Sequence, residues 1–152
     1  APSYNDAFVK EGFPLKALFE SGAMYSMAWV APYEADTTAH KTMRATLAQM
    51  GVESASSFLV AGWSSQYHLK GVLEAAYKGG DLTREGIRRA AANVYVESDG
   101  MMQTRELGQN RADNDSYINI PDGSIASGAR LLAPSYVGPT AESYDWTSGP
   151  CA

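Results

Sequence analysis

The sequence predicts an α/β protein, with helices packed on a sheet and a hairpin near the C-terminal end. Three observations carry that prediction. Residues 23–30, AMYSMAWV, are apolar or small at both alternating sets of positions, as in a strand covered on both faces. Two stretches, from about 36 to 50 and from about 54 to 78, repeat apolar residues at helical spacing. Residues 117–132 then read as two short strands around a Pro-Asp-Gly turn. With 152 residues, 45% of them hydrophobic, the chain is long enough for one domain with a core of its own.

Taken in order, FPLKALFESG holds a short helix, with Pro14 at its first turn and Gly22 ending it. After the strand, Pro32 in APYEAD interrupts any extended pairing and turns the chain. Asp36 or Thr37 caps the next helix. Met43, Leu47 and Met50 fall on one stripe of it, and Gly51 stands where a left-handed C-terminal cap belongs. The longer helix runs from about Ser54 to Lys78, with Phe58, Leu59, Gly62, Trp63, Leu69, Val72, Leu73 and Ala76 in register, until Gly79 and Gly80 stop it.

A third helix follows at once. In DLTREGI, Thr83 is the N-cap, Glu85 complements the positive end of the helix dipole, and Leu82 with Ile87 forms a hydrophobic staple. After Val94 the chain turns polar and loop-rich. The hairpin spans Tyr117–Ile120, a turn at Pro121, Asp122 and Gly123, and a strand from Ser124 to Leu132. The tail beyond Ala133 is rich in Pro, Gly and Ser, yet keeps Tyr136, Tyr144 and Trp146, which implies that it docks on something.

Composition excludes several classes of function. The net charge is −5, and Arg84, Arg88 and Arg89 are the one close group of basic residues, so no nucleic-acid partner is expected. The single cysteine, Cys151, provides neither an internal disulfide nor a zinc site. No apolar run approaches the ~20 residues of a membrane span. The opening APSYNDAF, without an initiator Met or a signal peptide, fits a mature secreted protein or a portion of a longer one.

Catalytic signatures are wanting. GWSSQ, Gly62 to Gln66, lacks the glycine two places after the serine that a nucleophile elbow needs, and it lies mid-helix. His40 and His68 have no ligand partner at metal spacing and read as surface or partly buried structural residues. ESDG (Glu97–Gly100) and NRADND (Asn110–Asp115) lack the acidic ladder of a calcium loop and read as solvated loops. KGGD follows a helix, whereas a phosphate cradle follows a strand. No cofactor or metal is implied. Trp29 and Tyr33 flank the exit of the strand, where ligands collect in open α/β folds, and are the candidate ligand contacts. Core or interface packing is the other reading of these two, and the leading one for Trp63 and Tyr67.

The order of parts carries a resemblance. An aromatic-Pro-Tyr turn precedes AHKTMRATLAQMG. A long helix ending LKGVLEAAYKGG runs straight into DLTREGIRRAAANV, and ESDGMMQTRELG, a hairpin and YVGPTAESYDW follow. This order resembles the C-terminal portion of type I periplasmic solute-binding proteins, the branched-chain amino-acid-binding family of ABC transporters. The family's pattern falls on Leu73, Ala76, Gly80 to Ile87 and Ala90, and the likeness spans roughly Tyr25 to Trp146.

What the resemblance implies is part of a two-lobed type I fold, closing by a hinge on a solute held between lobes. Residues 1–100 would belong mainly to one lobe, 101–133 to the other, and 134–152 would form a tail. The role implied is non-enzymatic: capture of a branched-chain or other amino acid, an amide or an aromatic carboxylate outside the cytoplasm, in the periplasm or extracellularly, and delivery to the membrane subunits of an ABC permease. A ligand-sensing module of a receptor or regulator is the alternative use of the same fold, and an α/β enzyme with its catalytic residues elsewhere is a third. The family's main polar anchors lie N-terminal to the part matched, so Trp29 and Tyr33 are the residues carried over. A strand apolar on both faces also needs neighbours, so a complementary N-terminal portion or self-association is expected.

Overall fold

The computed structural model describes residues 6–53, 56–106 and 115–145. Their elements pack in two groups, a sheet unit and a helical unit, joined through residues 29–37.

The sheet unit opens with a 3-10 turn at Asp6–Val9 and helix α1 at Lys16–Glu20. Phe8, Phe13 and Phe19 hold these together, with ring centroids 5.1–5.9 Å apart. Strand β1 (Ser26–Ala28) pairs with one strand of the hairpin, β4 (Asp115–Pro121), and β4 with the other, β5 (Ala129–Val137). The three make an antiparallel sheet in the order β1-β4-β5. On its inner face Ser26, Tyr117, Asn119, Pro121 and Ala129 are buried.

Thr37 starts the helical unit, its hydroxyl accepting from the His40 amide at the head of α2 (Thr38–Gln49). Helix α3 (Ser57–Lys78) follows its Ser56 cap, and Gly80, at φ 74°, reverses the chain. Helix α4 (Arg84–Ala91) starts from Thr83 as expected, with the Gly86 amide on the threonine hydroxyl at 3.2 Å. Asp81 completes this turn: it accepts from the Thr83 amide at 2.9 Å and pairs with Arg89. A Cβ on residue 86 would lie 2.2 Å from the Asp81 carbonyl oxygen, so the Asp-x-Thr-x-x-Gly spacing is a packing requirement. Short strands β2 (Tyr95–Val96) and β3 (Arg105–Glu106) pair antiparallel. The core gathers Met43 and Leu47 of α2, Val60 of α3, Val96, Met101 and Met102, with Trp63 and Tyr67 packed against it.

Several expectations are corrected. Among the described residues β1 is a short edge strand covered on one face, with Met27 54% and Trp29 41% exposed. The alternation of apolar residues predicts cover on both faces, and the Met27 face is open. Met50 is exposed because it is the C-cap, past the last buried turn. Phe58, Leu69 and Leu73 also face outward from α3, and Leu82 is too exposed to be an effective staple.

ESDG is solvated at Glu97, Asp99 and Gly100, as expected of a loop, but not at Ser98. Ser98 is buried, donating to the Met102 carbonyl at 2.8 Å and accepting its amide at 3.0 Å, while Met101 and Met102 enter the core. His40, expected at or near the surface, is fully buried; His68 is half-buried. The hairpin turn is longer than Pro-Asp-Gly. Asp122 accepts from the Ser124 amide and hydroxyl, the Ile125 and Gly128 amides bond back at i−3, and the Ser127 amide goes to Glu34, so these donors are taken before the ladder and the strand begins at Ala129. Strand β5 continues to Val137, through an edge position for Pro134, and helix α5 (Pro139–Ser143) follows, where a tail from residue 134 was expected. Trp146, Cys151 and most of NRADND lie outside the described residues.

Candidate functional site

Between the two units runs a crevice whose floor is the inner face of the sheet. Residues 30–35 cross it and are tied to both sides. Toward the helical unit, the Ala31 amide donates to Met101 at 3.2 Å, and its carbonyl accepts from His40 Nε2 at 3.3 Å. Arg44 donates to the Tyr33 carbonyl and, at 3.1 Å, to that of Ala35, with its guanidinium carbon 5.8 Å from the Tyr33 ring centroid. Toward the sheet, Glu34 accepts from the Ser127 amide at 2.9 Å and from its hydroxyl. A second tie joins the Gln103 side chain to the Pro134 carbonyl at 3.3 Å.

The chemistry of His40 follows from its partners. A carbonyl can only accept, so Nε2 carries the hydrogen and Nδ1, 2.7 Å from the Thr37 hydroxyl, is the acceptor. Burial is the main cause that holds its pKa below the ordinary value. The residue is a neutral strut rather than an acid or base.

Ala31 divides the crevice. On one side lies a space of about 600 Å³, with Tyr117 and Leu131 on its floor and Asp36, Glu97 and Asp99 at its edge. That size suits a small organic molecule. On the other side, a compartment of about 50 Å³ is enclosed by Ser26, Asn119 and Ser127 of the sheet unit, Tyr33, and Ser57 and Val60 of α3. Asn119 is 4% exposed, and its Oδ1 has no hydrogen-bond partner among the described residues.

Of the two residues singled out from the sequence, Tyr33 is a wall of the smaller compartment. Trp29 lines neither space and lies toward the exposed side of β1. The serines of GWSSQ are tied back to their own helix: Ser64 donates to the Ala61 carbonyl and Ser65 to that of Gly62, each at 2.8 Å. Glu34, His40, Arg44, Asn119 and Ser127 were not singled out for the site. Only Asn119 carried a signal in the sequence, an asparagine between two isoleucines in a strand, where that residue type is depleted.

No protein-family model matches this sequence, and no curated protein matches it significantly. A solved structure does. The chain is similar to a fatty acid ABC transporter substrate-binding protein from Thermomonospora curvata, with a TM-score of 0.77 and 23% identity. The match covers 93% of this chain and 36% of that one. This chain has part of a periplasmic-binding-protein fold.

Proposed function

We propose that this chain is part of the extracytoplasmic solute-binding component of an ABC uptake transporter. The observation that carries the reading is the match of nearly the whole chain to a substrate-binding protein over about a third of that protein's length. The crevice supports it, being roofed by the helical unit, floored by the sheet, and crossed by a segment bonded to both. In this reading, α2–α4 with Met101 and Met102 belong to one lobe, β1 and the hairpin β4–β5 to the other, and residues 29–37 form a crossing between them. A solute touching both lobes favours the closed arrangement by its differential contacts, and the permease membrane subunits read that closure.

The solute belongs to the small organic class of branched-chain or other amino acids, amides and aromatic carboxylates, with Tyr33 as a contact and Trp29 a second at the mouth. The uncovered faces of β1 and α3 are where a complementary N-terminal portion, or a second copy, packs. A panel of these solutes tests the reading, applied to the full-length protein that contains this chain. One class is expected to raise the melting temperature in proportion to the logarithm of concentration above Kd. No shift with any of them, together with no small molecule released on denaturing the purified protein, would overturn it.

A further inference from the structure

We propose that Asn119 is a ligand anchor, its side-chain oxygen accepting a hydrogen bond from an uncharged donor group, a carboxamide or hydroxyl, lodged in the smaller compartment. The inference deepens the solute-binding reading and rests on it.

Three observations converge. First, Asn119 Oδ1 is shut off from solvent and unpartnered, in a residue that lines a cavity. Buried acceptors are nearly always satisfied, and an exception needs a cause. Its cross-strand neighbours are Ser26 and Leu131, and the strand residues beside it are isoleucines. An apolar residue at 119 would have avoided the desolvation cost altogether.

Second, among the described residues the lining of the compartment contains no Lys, Arg, His, Asp or Glu. The carboxylate bonded to one lining residue, Glu34, is already engaged by the Ser127 amide and hydroxyl. An ammonium group there would be buried without a counter-charge, which is far more costly than burying a neutral donor. Third, about 50 Å³ admits a head group of a few heavy atoms and not a whole solute. Ala31 lines both spaces, so an apolar remainder leaves past it toward the larger one.

The experiment uses the full-length protein and three probes of one shape: isobutyramide, isobutylamine and isobutyrate. Binding is read by saturation-transfer NMR and titration, for wild type, Asn119→Leu and Asn119→Asp. The amide is expected to bind wild type in preference to the other two. Asn119→Leu should weaken it on the order of tenfold without lowering the melting temperature, because the unmet buried oxygen is gone. Asn119→Asp should turn the preference toward the amine. Equal amide affinity in wild type and Asn119→Leu overturns the anchor. So does a crystal structure in which a water on Oδ1 stays in place at saturating amide. If wild type responds to other solutes and Asn119→Leu responds equally, the anchor fails and the solute-binding role stands. If wild type responds to no solute at all, both fall.

Discussion

The two ends of α3 are built on different principles. At its C-terminal end, residues 79–89 satisfy one another: Asp81, Thr83, Gly86 and Arg89 close a turn within a few positions of sequence. At its N-terminal end, α3 enters the crevice, where the pairs are distant. Glu34 meets Ser127 across 93 positions, Gln103 meets Pro134 across 31, and the Asn119 side-chain oxygen meets no partner among the described residues. A polar residue satisfied by its neighbours is explained by the fold alone. Polar residues brought together from afar, with one left over, point to a task beyond folding.

The contrast can be broken by mutation, and the largest effect is expected in the crevice. His40→Ala removes a fully buried ring, leaves the Ala31 carbonyl without its donor and opens a cavity under the crossing segment. A loss of about 3 kcal/mol is expected in urea unfolding, with faster hydrogen exchange at the Ala31 amide. A cost under about 1 kcal/mol would mean that the crossing is no better specified than a surface turn. Next comes Gly86→Ala, whose new methyl collides with the Asp81 backbone. It should cost about 2 kcal/mol and leave exchange at Ala31 unchanged. A change at Ala31 would show that the two ends of α3 are coupled, and the comparison between them would fail.

How much of this was legible in the sequence divides along the same line. Thr37 and Thr83 as caps, Gly22, Gly51 and Gly80 as left-handed stops, and the Met43–Leu47 stripe follow from chemistry within one turn of chain. The hairpin's existence was legible too. Its turn was not, because Asp122 could be seen to favour a turn without revealing that Ile125 and Gly128 would bond back within it and Ser127 would bond to Glu34. The burial of Ser98 within the otherwise exposed ESDG could not be read, because it depends on α2 being packed beside it: the Asp99 carbonyl accepts from Ala39, and Gly100 passes close to Thr37. Trp29 and Tyr33 had equal claims by position, but the strand ends at Ala28 and the chain turns at Pro32, so Trp29 stays toward the exposed side of β1 while Tyr33 is carried into the crevice, a divergence that depends on tertiary bonds. Glu34 and Arg44 carry no local sign of their partners, and Asn119 shows only that a polar residue stands in an apolar strand.

The smallest effect sharpens the comparison through pH. His40 is held neutral chiefly by burial; Arg44 adds to that, while the bond to Ala31 and the Glu34 charge oppose it. Its folded pKa lies below the ordinary histidine value of 6.5, so the unfolded chain binds the proton more readily. Its contribution to stability is therefore complete above pH 6.5 and is lost as pH falls through that value toward the lower folded one. The carboxyls of Asp36, Asp81 and Asp122 are pulled the same way from 3.8, by Lys41, Thr83 and Ser124 respectively, so their losses come only at still lower pH. Between about pH 5 and 6.5 the slope belongs to the crevice and not to the α3–α4 turn. Melting temperature should fall with pH across that window more steeply in wild type than in His40→Gln, and the difference between the two profiles is the His40 contribution. A level profile in wild type would mean that water reaches His40, and a crossing segment open to water is not the sealed strut on which the crevice depends.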